Sequence, residues 1–163
     1  MWAMQRGSSV SFELNLKTET VEAVGPLPPR IVAPSVTVRA AMEQMRDLRE
    51  GSVLICRDEV LVGIFTERDA LGLMAREADL DVPLEEVMTV DPVSLHASAT
   101  VGEAIRSMSS GGYRRLPIVD DEGRPVGTVK TSGILNYLVE HVPEAVYNLP
   151  PTPRPVTQER EGA

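Results

Sequence analysis

Residues 21–45 read VEAVGPLPPRIVAPSVTVRAAMEQM, and residues 84–108 repeat the pattern 63 positions later as LEEVMTVDPVSLHASATVGEAIRSM. The register continues through residues 53–71 and their counterparts, residues 116–135, with one extra residue in the second copy. A unit of about 50 residues buries too little surface to be comfortably stable alone. Two adjacent copies can bury their apolar faces on each other. The sequence therefore predicts two similar units that share a core, and the functional question becomes where the copies differ.

Both copies show the same order of secondary-structure signals. A short apolar strand leads into a helix with apolar residues on one face, and Thr37 and Thr100 are the predicted N-caps. Two strands joined by a turn-rich segment follow, and a second helix ends the copy. The unit reads β-α-β-β-α, so the predicted fold class is α+β. The predicted strands are 31–32, 53–56, 61–65, 93–95, 116–119 and 126–129, and the predicted closing helices are 68–78 and 132–141.

The repeat divides the chain into four predicted segments. Residues 1–20 form an N-terminal extension, in which the alternating sequence VSFELNLK (10–17) predicts an extra strand. Residues 21–80 and 81–142 are the first and second repeats. Residues 143–163 form a proline-rich tail with almost no apolar content, which is expected to be disordered or extended.

Composition and charge exclude several classes of function. The chain of 163 residues has a formal net charge of −8, which argues against a general nucleic-acid or anionic-membrane surface. It has neither an apolar leader nor an apolar run of membrane-spanning length, so we expect a cytoplasmic protein. The single cysteine, Cys56, cannot form an intramolecular disulfide and is expected to be a buried small hydrophobe.

Catalytic and metal-binding patterns are missing from the sequence. The two histidines, His96 and His141, lie 45 residues apart and have no matching cysteine or carboxylate spacing. The sequence contains no GxSxG, GxxxxGK[ST], HExxH or CxxC motif. We therefore expect no catalytic residue, no metal site and no required cofactor.

The segment GIFTERD (63–69) carries the chemistry of a binding site. It places the hydroxyl of Thr66 and the carboxylate of Asp69 where a helix begins, and the free amides of a helix N-terminus suit a phosphate. A carboxylate can accept both hydroxyl groups of a ribose cis-diol. Helix capping explains the same two residues without any ligand. The pattern alone leaves both interpretations open.

The two repeats, with GIFTERD and YRRLPIVDDEGRPVG (113–127), resemble a tandem pair of CBS domains, the regulatory module named after cystathionine β-synthase. The resemblance covers about residues 21–141. It implies two β-α-β-β-α units packed sheet to sheet about a pseudo-two-fold axis, in a stand-alone, bacterial-type pair. It also implies a homodimer whose clefts bind an adenosine-containing ligand such as AMP, ADP, ATP, S-adenosylmethionine or NAD.

Residue by residue, the resemblance assigns the ribose to Asp69 and its hydroxyl partner to Thr66. It implies that Met88 and Val93, from the other repeat, sandwich the adenine. Further positions expected around the ligand are Arg68, Tyr113, Arg114, Arg115, Lys130, Thr131 and Ser132. Arg68, Arg115 and Lys130 would supply charge to phosphates, although each is equally explained as a solvated surface residue. Ordinary packing explains Tyr113 as well.

The second copy departs from the pattern because GTVKTSG (127–133) has Lys130 in place of Thr66 and Gly133 in place of Asp69. Glycine offers no side chain to a ribose, so we expect one adenosine-ligand site per chain. The favoured function is a non-catalytic sensor that passes ligand status to an unidentified protein partner. The alternative is a structural CBS dimer with vestigial sites. An enzyme like inosine monophosphate dehydrogenase is disfavoured, because the roughly 40 residues outside the repeats cannot form a catalytic barrel.

Overall fold

The computed structural model of the chain describes residues 16–141. Within them, one sheet contains β1 (Ile31–Val32), β2 (Ser52–Arg57), β3 (Val60–Thr66) and β4 (Thr89–Val90), in that order. The other sheet contains β5 (Leu95–His96), β6 (Arg115–Val119) and β7 (Pro125–Lys130). The α-helices are α1 (Val38–Leu48), α2 (Glu67–Ala75), α3 (Val101–Gly111) and α4 (Thr131–His141), and two 3-10 turns cover Val21–Val24 and Leu84–Glu86.

The two sheets repeat one topology, which confirms the α+β fold of paired β-α-β-β-α units with a pseudo-two-fold relation. In each, the first strand runs parallel to the second and the second runs antiparallel to the third. A bulge interrupts both antiparallel ladders at matching places, between Ile55 and Cys56 and between Ile118 and Val119. The short strand β4 was not predicted. It precedes the second sheet in the chain but pairs with β3 and extends the first sheet.

The repeats exchange their opening turns, so the core of each unit contains residues of the other. Val21 and Val24 pack in the core of the second repeat, whereas Leu84 packs in the core of the first. The amide of Val21 donates to the carbonyl of Ala99 at 2.9 Å, and the amide of Leu84 donates to that of Val36 at 2.8 Å. Each core is therefore completed by a segment from the other repeat, which is the physical reason for expecting the units to fold together.

The predicted helix caps are present. The side chain of Thr37 accepts a hydrogen bond from the amide of Ala40, three residues into α1. Thr100 and Glu103 form a reciprocal capping box at the start of α3. The hydrogen bonds that Thr100 donates lower the pKa of the Glu103 carboxyl. These caps fix where both helices begin and therefore support the repeat alignment.

Other expectations need correction or lie outside the described residues. Residues 16–18 are helical, so the predicted strand 10–17 is wrong at its last two positions, and its remainder lies outside the described residues. Leu16 packs against the second core, a tertiary contact that the alternating pattern does not reveal. The strand predicted at 93–95 begins only at Leu95, because pairing with Ile118 sets its start. The helix predicted to reach residue 78 ends at Ala75. The predicted tail lies outside the described residues.

Cys56 is buried, as expected, and burial raises the pKa of its thiol. Within residues 16–141, none of the helices has the length and apolar character needed to span a membrane.

Candidate functional site

The first cleft is the region around Thr66 and Asp69, where β3 passes into α2. The amide and the hydroxyl of Thr66 both donate to Oδ2 of Asp69, at 2.8 and 2.7 Å, and the amide of Asp69 donates back to the Thr66 hydroxyl at 3.4 Å. Thr66 and Asp69 therefore cap α2, as the capping interpretation expects. Among the described residues, Oδ1 of Asp69 has no hydrogen-bond partner. Capping occupies one carboxylate oxygen and leaves the other for a ligand.

Met88 lies against the strand that ends at Thr66. Its thioether covers Gly63 so closely that a methyl group added at Gly63 would collide with it. The contact follows from the pairing of β4 with β3 at Gly63 and Ile64, because Met88 directly precedes β4. Val93 follows β4 and is 47% exposed, which leaves its side chain available to a ligand. The structure thus brings Met88 of the second repeat onto the strand that leads to Thr66.

The remaining predicted site residues lie near the starts of β6 and of the closing helices. They differ in exposure and in their contacts within the protein. Tyr113 packs against Gly111 and is 41% exposed. The carbonyl of Arg114 accepts hydrogen bonds from the amide and the hydroxyl of Thr131, which keeps that hydroxyl within the second repeat. The side chains of Arg68, Arg114, Thr131 and Ser132 are exposed.

Two predicted phosphate ligands, Lys130 and Arg115, have different surroundings. Nζ of Lys130 lies 3.1 Å from Oε2 of Glu50, and these side chains are only 23% and 16% exposed. Nε of Arg30 lies 4.0 Å from Oε1 of the same carboxylate. By contrast, the guanidinium of Arg115 packs against Gly51 and pairs with no acid among the described residues. Lys130 is therefore neutralised by Glu50, whereas no acid in the described part of the chain does the same for Arg115.

The second cleft is the region around Lys130 and Gly133 and contains a cavity of about 410 Å³. Gly25, which aligns with Met88 of the first cleft, lines this cavity. Pro26 and Leu27, and not a thioether, lie over Gly127, the counterpart of Gly63. Gly133 stands where the first cleft has Asp69. The second cleft thus lacks the carboxylate assigned to ribose.

A larger cavity, of about 640 Å³, lies away from the predicted residues, between β1 and the start of β7. Its one cation, Arg124, is already bound to Asp120 at 2.8 Å and to Glu122 at 3.0 Å. Residues 16–141 contain no group of three or more histidine, cysteine or acidic side chains arranged to hold a metal ion. Neither observation adds a site to the two clefts.

Sequence reasoning missed Glu50, Gly51 and Gly63, each of which contacts a predicted site residue. The repeat alignment could have identified Glu50, because this residue aligns with Tyr113, a predicted site residue of the other copy. The two glycines had no comparable signal, since their role depends on side chains from the other repeat.

A family model for the CBS domain matches residues 23–76 and 84–140. An uncharacterized 17.7 kDa protein of Acidianus ambivalens is 33% identical over 111 residues, covering 68% of this chain and 67% of that protein. Seven further curated relatives are matched over 18% to 64% of their own length. The chain therefore spans only part of the length of most of these relatives.

Solved structures show the same fold. The CBS domain pair of protein MJ0100, in complex with 5′-methylthioadenosine and S-adenosyl-L-methionine, superposes with a TM-score of 0.69 at 23% identity, covering 76% of this chain and 98% of that one. The CBS domain protein PAE2072 of Pyrobaculum aerophilum, complexed with AMP, gives 0.67 at 22% identity, covering 74% and 98%. The paired topology, the exchanged turns and the two matched repeats lead to one conclusion: this chain belongs to the CBS-domain family.

Proposed function

We propose that the chain is a non-catalytic regulatory module that binds one adenosine-containing ligand per chain in the first cleft. The observation that carries the proposal is the carboxylate of Asp69, half-buried at the start of α2 with Oδ1 unpartnered among the described residues. Gly133 removes that group from the second cleft. The adenosine compounds in the MJ0100 and PAE2072 complexes support this class of ligand.

Each side chain of the first cleft has a distinct task in this proposal. Oδ1 of Asp69 accepts the ribose hydroxyls, while Oδ2 continues to cap α2. Met88 and Val93 provide apolar contact for the adenine, and the unbranched thioether of Met88 adapts readily to a flat ring. Tyr113 lies at the start of β6 and adds a partly exposed aromatic surface.

Ligand binding at the boundary of two units offers a route to regulation. A ligand that contacts both repeats favours the relative tilt in which its contacts are best, and a partner that prefers one tilt responds to that shift. AMP, ADP, ATP, S-adenosylmethionine and NAD are the ligands to compare. The regulated partner and the cytoplasmic location stay predictions.

A thermal-shift panel of these five compounds tests the binding function. A ligand at 100 times its dissociation constant adds about 2.7 kcal/mol to the free energy of unfolding, which raises the melting temperature by several degrees. The alternative, a structural dimer with vestigial sites, predicts no shift with any of them. Absence of a shift at millimolar concentrations of all five would contradict the proposed function.

Lys130→Met is expected to leave ligand affinity within about twofold of wild type, because Glu50 already neutralises the ammonium group. Loss of this half-buried partner is expected to lower the free energy of unfolding by about 1–2 kcal/mol, with Arg30 limiting the cost. Calorimetric titration and chemical denaturation measure the two effects. A tenfold loss of ligand affinity would show that Lys130 serves the ligand instead.

The closing helices favour a homodimer as part of the same proposal. Leu71 and Met74 on α2 are 67% and 54% exposed, and Leu135 and Val139 on α4 are 56% and 71% exposed. Exposed apolar side chains that share a helix suit an association surface. The described residues leave these four side chains uncovered.

The double variant Leu135→Glu/Val139→Glu is expected to be monomeric, because it places charges in an apolar interface. Light scattering after size-exclusion chromatography measures the mass. Val126→Glu is the matched control, since Val126 is 52% exposed but lies on β7. A monomeric wild type at high concentration would refute the dimer, and dissociation by Val126→Glu alone would place its interface elsewhere.

A further inference from the structure

The larger cavity, of about 640 Å³, is bordered by an open strand edge from each sheet. The first of these edges belongs to β1, the end strand of the first sheet. The carbonyl of Arg30 accepts a hydrogen bond from the amide of Leu54 in β2 at 2.7 Å. The trans peptide between Arg30 and Ile31 points its carbonyl and its amide in opposite directions, so the amide of Ile31 points away from β2. That amide has no hydrogen-bond partner among the described residues.

The second open edge belongs to β7, the end strand of the second sheet. In the first sheet, the carbonyl of Val62 accepts a hydrogen bond from the amide of Asp91 at 3.2 Å. The counterparts of these two residues in the repeat alignment are Val126 and Pro28. Proline has no amide hydrogen, so the donor that Val62 has is missing at Val126.

Apolar side chains line the cavity beside these backbone groups. Ile31 and Val126 are 50% and 52% exposed, and Val32 and Cys56 lie deeper, at 7% and 8%. An unpaired strand edge is a template for a further strand, and adjacent apolar side chains give that strand a surface to pack on. The cavity therefore suits an extended segment with one apolar face.

Residues 10–15 of this chain have the properties that such a strand needs. In VSFELN the apolar residues Val10, Phe12 and Leu14 alternate with polar ones, so an extended strand would have one apolar face. None of the six is proline, so each has an amide donor. Residues 142–163, at the other end of the chain, contain five prolines and supply fewer donors to a strand edge.

The point where this segment joins the described residues lies near the cavity. Leu16 packs against the second core, and its carbonyl lies beside the first turn of α3. The connection that leads into α3 contains Ala97, whose amide donates to the carbonyl of Val119 at 2.9 Å. Val119 pairs with Pro125, which lines the cavity. The attachment point and the cavity are thus at the same end of the second sheet, and six extended residues span about 20 Å.

We propose that residues 10–15 dock in this cavity as an added strand, with their apolar face on Val32 and Cys56. The strand accepts a hydrogen bond from the amide of Ile31 and donates one to the carbonyl of Val126, and so joins the first sheet to the second. This interaction goes beyond the proposed function and requires no ligand in the first cleft.

Disulfide trapping in the full chain tests where the segment lies. Cys56 is the only native cysteine, so one introduced cysteine defines one possible pair. Single cysteines are placed at each of residues 10–15, and the intramolecular disulfide formed under mild oxidation is followed on non-reducing gels. The fastest variant at 10, 12 or 14 is expected to react about tenfold faster than those at 11, 13 and 15, because a disulfide requires converging Cβ vectors and Cα atoms within about 7 Å. The odd positions are the matched control, since they have the same tether but the opposite face.

The alkylation rate of Cys56 provides a second readout. Phe12→Asp/Leu14→Asp is expected to raise that rate about tenfold or more, since the burial of each large apolar side chain favours docking by at least that factor. Ser11→Asp/Asn15→Asp adds the same charge to the opposite face and should leave the rate within about twofold of wild type.

Four results would overturn the inference. The first two are a scan with no alternation between even and odd positions, and an alkylation rate that Phe12→Asp/Leu14→Asp leaves unchanged. A disulfide that links two chains would assign the cavity to a second copy. A disulfide from Thr152→Cys that forms faster than any in the scan would assign it to residues 142–163. Circular dichroism checks the fold of each variant, and the scan keeps its pattern if a single variant fails to fold.

Discussion

Asp69→Asn is expected to weaken the binding of an adenosine-containing ligand by about 30-fold or more, since hydrogen bonds to a charged group are worth about 1.5–3 kcal/mol each. Asparagine keeps the size of the side chain and one oxygen acceptor. It removes the negative charge and replaces the second acceptor with a donor, which cannot accept a ribose hydroxyl. Calorimetric titration with AMP measures the loss.

The control for Asp69→Asn must separate ligand binding from helix capping. Glu103 offers that control, because it closes the capping box of α3 with Thr100 as Asp69 closes that of α2 with Thr66. Glu103→Gln should weaken its cap without changing ligand affinity. If Asp69→Asn binds AMP as wild type does, Asp69 is a capping residue only and the site assignment is wrong.

Leu84→Ala is expected to lower the free energy of unfolding by about 2–5 kcal/mol, the usual cost of removing a fully buried leucine side chain. Leu84 is 0% exposed and belongs to the second repeat by sequence, but it packs in the core of the first. The substitution should therefore destabilise both repeats together. We expect a single unfolding transition with a lower midpoint.

Urea denaturation followed by circular dichroism measures the free energy, and hydrogen exchange reports which amides open. Val90→Ala is the control, because Val90 is 60% exposed on β4 and should change stability by no more than about 0.5 kcal/mol. Two separate transitions, or exchange confined to one repeat, would contradict the account of interlocked cores.

The fold was predictable from the sequence because its determinants are local and occur twice. The apolar periodicity of α1 and α3 and the threonine caps at Thr37 and Thr100 depend on residues within a few positions of each other. The exchange of Val21 and Leu84 between cores was not predictable in detail. It depends on contacts between segments whose sequences look like ordinary repeat beginnings.

The candidate site was predictable only in part, for a related reason. Thr66 and Asp69 are only three residues apart, so the sequence itself indicates that they meet at the start of a helix. The contact between Lys130 and Glu50 joins residues 80 positions apart, so no local pattern reveals that this lysine is neutralised. Met88 over Gly63 and Arg115 over Gly51 likewise require the packed structure, since glycine gives no signal about which side chain fills the space beside it.

The stoichiometry of a calorimetric titration with AMP measures how many adenosine-ligand sites each chain has. We expect saturation at one AMP per chain, because Oδ1 of Asp69 has no partner within residues 16–141 and Gly133 has no side chain. Asp69→Asn should reduce or abolish that single binding event. Saturation at two AMP per chain, or one event that Asp69→Asn leaves unchanged, would contradict the account.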